Sequence, residues 1–255
     1  MGTSTSSKGP LNNSPLVPPW ADATPDQPIP LPPEGPRFKT FRANMGKFVS
    51  TGEGHYLQRS LGEYARGATG GSAIGARRYG AMSKAGSTLF GVINELRQGG
   101  TGEVSTGVNL TALAGKDVDF AIQEIVTALT PNNGDAEKIR AAMNTALSEA
   151  LEGVEEFNPL DISDDMLINM MIFYLRECVF EQVIMDSNQA FQKGDLQKCQ
   201  EAEGALHDLV DSVVDQHMRP SFLPGVMNLT QAQVNDIQLS AIKEVLIEWE
   251  GYEPW

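Results

Sequence analysis

Apolar residues recur along most of this chain at the three- and four-residue steps of an amphipathic helix. Val118, Ile122, Ile125, Val126 and Leu129 form one stripe, closed by Thr130-Pro131-Asn132-Asn133-Gly134. Ile139, Ala142, Met143, Ala146, Leu147 and Ala150 form the next, in a helix that begins at Asp135. Ser163 is placed to cap a third helix, which runs to about Phe191 and stops at Gly194, with Asp195 capping its successor. That successor carries Leu196, Cys199, Leu206, Leu209, Val210, Val213 and Val214 on one side. Thr230 and Gln233 have the spacing of a capping box ahead of Val234, Ile237, Ala241, Ile242, Val245 and Leu246. No segment alternates convincingly as a strand would. The pattern predicts an all-α fold.

Upstream the pattern changes. Leu57, Leu61 and Tyr64 share a helical face, and then Gly67, Gly71 and Gly75 follow at intervals of four, with Ala76 and Gly80 close by. Small residues at that spacing let a second backbone approach closely, at a cost in helix propensity. Arg77 and Arg78 decorate the same stretch, which is a possible interface within the fold or toward a partner. Residues 1–36 carry no apolar periodicity at all. They hold ten of the fifteen prolines, so a disordered arm of polyproline character is expected there, ahead of a single helical domain over residues 37–255. At ~3.1 Å per residue such an arm reaches on the order of 100 Å. Trp20 is either an anchor for a partner's groove or a ring that packs back on its own domain.

Charge sharpens the division. The arm has a net charge of −2, residues 37–100 carry +7 and thirteen glycines, and residues 101–255 carry −19. So acidic a C-terminal part repels nucleic acid and anionic membrane. The basic block either docks against acidic surface, its own or a partner's, or forms a nucleic-acid face; its aromatics are not interleaved as a stacking platform requires, which disfavours the latter. The two cysteines, Cys178 and Cys199, give no disulfide framework, and no apolar run reaches membrane-spanning length, so a cytoplasmic protein is expected.

Candidate chemistry is sparse. His55, His207 and His217 fall in no ligand spacing, and neither CxxC nor HExxH occurs, so no metal is expected. Gly46-Lys47 is followed by Phe48 rather than Ser or Thr, which departs from a phosphate-binding loop, and the dinucleotide fingerprint is missing. The adjacent acids Glu155-Glu156 and Asp164-Asp165 point apart on a helix and suit helix starts. No cofactor and no enzymatic activity are expected. The opening Met1-Gly2-Thr3-Ser4-Thr5-Ser6 is different. Removal of Met1 exposes a glycine α-amine whose pKa near ~7.8 leaves roughly a third of it neutral at pH 7.5, against about 0.1% of a lysine. The same opening fits a myristoylation pattern, but nothing else points to a membrane.

These residues carry a resemblance. Met1 to Ser6, Gly9-Pro10 and Ser14-Pro15-Leu16-Val17-Pro18-Pro19-Trp20 look like the start of the QatB family of Qat anti-phage defence systems. Leu61-Gly62-Glu63-Tyr64 and Thr69-Gly70-Gly71-Ser72-Ala73 with Ala76-Arg77-Arg78 are similar to that family too. The likeness is strongest over the first 100 residues. It implies partnership with a QueC-like enzyme (QatC), an ATPase (QatA) and a TatD-like nuclease (QatD). QueC-type enzymes adenylate a 7-deazaguanine carboxylate for attack by an amine. The resemblance therefore implies that Gly2 is a modification acceptor, with Thr3, Ser4, Thr5, Ser6 and Trp20 recognised by the partner. The alternative it leaves is a scaffold joining the ATPase to the other components.

Overall fold

The computed structural model describes residues 37–102, 110–223 and 225–252. The expected arm, with Gly2, Thr3, Ser4, Thr5, Ser6 and Trp20, lies outside the described residues. Among those described the fold is all-α. Helices α1 (Lys39–Thr51), α2 (Gly54–Glu63), α3 (Ser72–Arg77), α4 (Gly80–Arg97), α5 (Val118–Leu129), α6 (Ala136–Ala150), α7 (Asp164–Ser187), α8 (Leu196–Met218) and α9 (Gln231–Glu250) follow one another. The strand content is a two-residue antiparallel ladder, β1 (Lys116–Asp117) with β2 (Glu156–Phe157), in which Lys116 faces Phe157. So short a ladder has no room for the alternation that would reveal it in sequence.

The helix punctuation follows local chemistry. Ser163 Oγ accepts from the Met166 amide at 3.1 Å, and Asp195 Oδ1 accepts from the Lys198 amide at 2.9 Å. Thr230 and Gln233 make a reciprocal box: the Gln233 amide donates to Thr230 Oγ1 at 3.3 Å, and Gln233 Oε1 accepts from the Thr230 amide at 2.9 Å. One boundary differs from expectation. Regular α7 ends at Ser187, because Asn188 takes a left-handed φ of 53°, and residues to Lys193 continue as 3-10 helix. Leu196, expected on a buried stripe, is 76% exposed. It is the first residue of α8, directly after the cap Asp195.

The chain forms two compact units whose segments interleave. The first holds described residues 37–79 together with Phe180–Val210 and residues 242–252. Its core gathers Phe41, Met45, Leu61, Tyr64 and Trp249, all inaccessible to solvent. The rings of Phe41 and Tyr64 lie 4.9 Å apart, and Tyr64 and Trp249 lie 6.3 Å apart. Ser60, buried on α2, donates to the Phe41 carbonyl at 3.0 Å and ties α2 to α1.

The second unit comprises the described residues of Gly80–Val179 and Asp211–Ala241. Leu89, Ile93, Ile125, Met143, Leu147, Met171 and Leu175 fill its core. Tyr174 donates to the Met82 carbonyl at 2.8 Å, and Gln238 Nε2 donates to the Ser83 carbonyl at 3.1 Å. Gly86 makes this possible: a methyl group there would stand 2.5 Å from the Tyr174 ring. Composition divides the chain at residue 100, whereas packing divides it after Tyr79, Val179, Val210 and Ala241.

Candidate functional site

The glycine-rich block sits in the first unit, and its geometry begins with a miscounted turn. After Glu63 the helix widens into a π turn, Tyr64–Ala68, in which the Thr69 amide reaches back five residues to the Tyr64 carbonyl at 2.9 Å. Gly70 and Gly71 then take left-handed φ values of 83° and 94°, conformations open to glycine, and α3 starts afresh at Ser72. The interval of four therefore does not put Gly67, Gly71 and Gly75 on one helical face. Three different backbone conformations separate them. Gly75 alone of the three is tightly packed: a Cβ there would stand 2.6 Å from Leu246 Cδ1 and 2.9 Å from Thr69 Oγ1. At Gly67 a Cβ would meet nothing within 4 Å.

The end of α9 closes this block. Arg66 Nη1 donates to the carbonyls of Glu250 and Tyr252 at 2.6 and 2.7 Å, satisfying orphan acceptors at the helix C-terminus. In return, Glu250 Oε1 accepts the Ser72 amide at 2.6 Å at the start of α3.

Arg78 is drawn inward. Its Nη1 and Nη2 donate to Asp186 Oδ2 and Oδ1 at 2.8 and 3.2 Å, with both side chains 14% exposed. Asp186 Oδ2 also accepts from the Tyr64 hydroxyl at 2.9 Å and from Gln182 Nε2 at 3.1 Å, while its carbonyl accepts from Arg42 Nε at 2.7 Å. Both guanidiniums lie over the Phe38 ring, at 5.1 Å for Arg42 and 5.8 Å for Arg78. Burial pushes the Tyr64 hydroxyl well above the ordinary phenol range, and the Asp186 charge adds to this. Burial alone would lower the Arg78 guanidinium; the oxygens of Tyr64 and Asp186 outweigh it and push it up. With both shifts upward, Tyr64 stays neutral and Arg78 stays charged near neutrality. The cluster braces. Arg77, at the end of α3, is half-buried and also engaged.

The second unit has a matching polar centre. Arg176 donates from Nη2 to both Glu149 oxygens at 2.8 and 2.7 Å, from Nε to Glu177 at 2.9 Å and from Nη1 to Asp211 at 3.2 Å. Its side chain is 5% exposed and lies over the Phe173 ring at 4.8 Å. Neither Asp186 nor Arg176 is visible as a site in sequence, although Arg176 is the charge that follows directly on the apolar residues 170–175.

The remaining candidate chemistry is dispersed. His55 lies 3.4 Å from Glu53 at the surface, and His207 meets the Phe180 ring edge-on at 5.1 Å. Cys178 is buried, which pushes its thiol up to about 12; Cys199 donates to the Phe191 carbonyl at 2.7 Å. Among the described residues no group of three or more His, Cys, Asp or Glu could hold a metal ion. No helix of the described residues is long and apolar enough to cross a membrane. One open groove of about 170 Å³ lies between the end of α1 and the start of α8. Phe48, Val49, Ala202 and Ala205 line it, with Lys198 and Glu201 at its rim.

These features define an all-helical protein whose polar clusters lock helices together, with an open groove on the first unit. The chain matches the family described as Qat anti-phage system associated protein QatB over residues 70–247, well over half its length, and belongs to that family. The match begins at Gly70, so it overlaps the likeness read from sequence over residues 70–100 and extends beyond it. No curated protein matches the chain, and no solved structure does.

Proposed function

We propose that the protein is a non-enzymatic Qat component that binds the QueC-like enzyme QatC and presents the α-amine of Gly2 for ATP-dependent conjugation to a 7-deazaguanine. Membership of the QatB family carries the system-level part of this reading. The reactivity of a glycine α-amine at the head of a proline-rich stretch supports the acceptor role. In the reaction the Gly2 nitrogen attacks the carbonyl carbon of the partner's acyl-adenylate. An amide forms, AMP leaves, and the amine proton passes to the partner or to water. Thr3, Ser4, Thr5 and Ser6 follow as small residues recognised through backbone and hydroxyl contacts. ATP and any metal belong to the partner.

The test is intact mass of this chain made with and without QatC. The expected result is a gain equal to one 7-deazaguanine acyl group, mapped to the N-terminal peptide and lost in Gly2→Leu or behind a retained tag. Full anti-phage protection by an unmodified or Gly2-substituted chain would overturn it. The scaffold reading, in which the chain joins QatA to the other components, would then stand in its place. Leu223 and Met227, 76% and 58% exposed within five residues of each other, are the kind of apolar surface a scaffold uses.

A further inference from the structure

Trp20 is the only aromatic residue before Phe38, and it is followed two positions on by Asp22. We propose that its indole docks in the groove of its own chain between the end of α1 and the start of α8. The floor of that groove is apolar and preformed: Phe48, Val49 and Ala202 are 3%, 1% and 4% exposed. Its volume of about 170 Å³ suits a single aromatic ring system. An apolar cavity of about 150 Å³ engineered into another protein takes up benzene.

The rim answers the polar parts of the segment. Glu201 is an acceptor for the indole N–H, a donor that seeks a partner when its ring is buried. Lys198 offers a positive charge to Asp22.

Reach permits the contact. Residue 37 leads directly into α1, whose thirteen residues extend ~20 Å to the groove. The seventeen residues from Trp20 to Arg37 span ~53 Å in a polyproline conformation, so the chain can double back with slack. Size argues against a separate protein as the occupant. A stable interface takes about 800 Å² from each partner, whereas this groove holds one ring. A tethered ring needs no such area, because its linker supplies an effective concentration in the millimolar range. Docking of Trp20 leaves residues 2–19 as the free length, roughly 55 Å, on which the N-terminus is carried. The proposal does not depend on the chemistry of Gly2, and its test does not read modification.

The experiment replaces Trp20 with p-benzoylphenylalanine in the full chain, irradiates it and maps the crosslink by mass spectrometry. Mixing isotope-labelled with unlabelled chains tells crosslinks within one molecule from those between two. The expected crosslink is intramolecular, to the peptides bearing residues 48–52 or 198–205. Ala205→Trp, at an exposed position that fills the groove from its edge, should abolish it while leaving the helical circular dichroism unchanged. In unmodified protein, backbone amides of residues 198–205 should exchange about threefold or more faster in Trp20→Ala than in the native chain. Crosslinks to another surface or another copy, a crosslink indifferent to Ala205→Trp, or unaltered exchange in Trp20→Ala would each overturn the proposal.

Discussion

Replacing Asp186 with alanine removes the acceptor on which the first unit's polar cluster converges. Arg78 would lose both of its bonds to that carboxylate, and Tyr64 and Gln182 would lose theirs. With only 14% of the Arg78 side chain exposed, water cannot fully replace the lost partner. Breaking a buried pair on one side costs about 3–5 kcal/mol, because the remaining charge is left uncompensated. For a chain of this size each kcal/mol moves the midpoint by about 2–4 °C, so Tm should fall by about 6–20 °C. Thermal melting at pH 7, followed by circular dichroism, measures this. Exchange of the α2 and α3 amides would locate the loss in the first unit. The double variant Arg78→Met with Asp186→Leu should recover part of it, since apolar replacement of both partners removes the stranded charge. Recovery should stay incomplete, because the Tyr64 hydroxyl loses an acceptor at a cost of about 1–3 kcal/mol. A fall below about 2 °C in Asp186→Ala, or a double variant as unstable as the sum of its singles, would refute the bracing role.

Three further outcomes are expected. Gly75→Leu should cost about 1–3 kcal/mol in chemical denaturation, because its side chain would enter space held by Leu246 and Thr69, whereas Gly67→Ala, which meets nothing within 4 Å, should be neutral or slightly stabilising. Cys178, its thiol pushed up to about 12 by burial, should resist thiol reagents at pH 8 in the native state. Because the unfolded thiol ionises near ~8.5 and the folded one does not, Cys178 makes stability fall between about pH 8.5 and 12, and the fall should be shallower in Cys178→Ala. Thr230→Ala should cost about 1 kcal/mol by opening the reciprocal box at the start of α9, read from the urea midpoint.

The helical character of the fold was legible because its punctuation is local. Ser163, Asp195 and the Thr230–Gln233 pair each satisfy an amide three residues away, within the reach of a sequence window. The glycine block was not legible in the same way. A four-residue interval assumes a regular helix, and the π turn after Glu63 followed by two left-handed glycines destroys that register. The partner of Arg78 lies 108 positions away on α7, a distance at which only packing decides which acid is met. Likewise, Asn188 ends α7 four residues early through a backbone angle that its neighbours do not announce.

The bonds of Arg66 to the end of α9 join residues 184 and 186 positions apart. Chains are synthesised from the N-terminus at about 5–20 residues per second, so roughly 10–40 s separate the emergence of Arg66 from that of its acceptors. Over that interval the nascent π turn and α3 lack the carbonyls and carboxylate that finish them. Slower translation of the downstream messenger lengthens this exposure, and a chaperone holding residues 64–77 would have its greatest effect then.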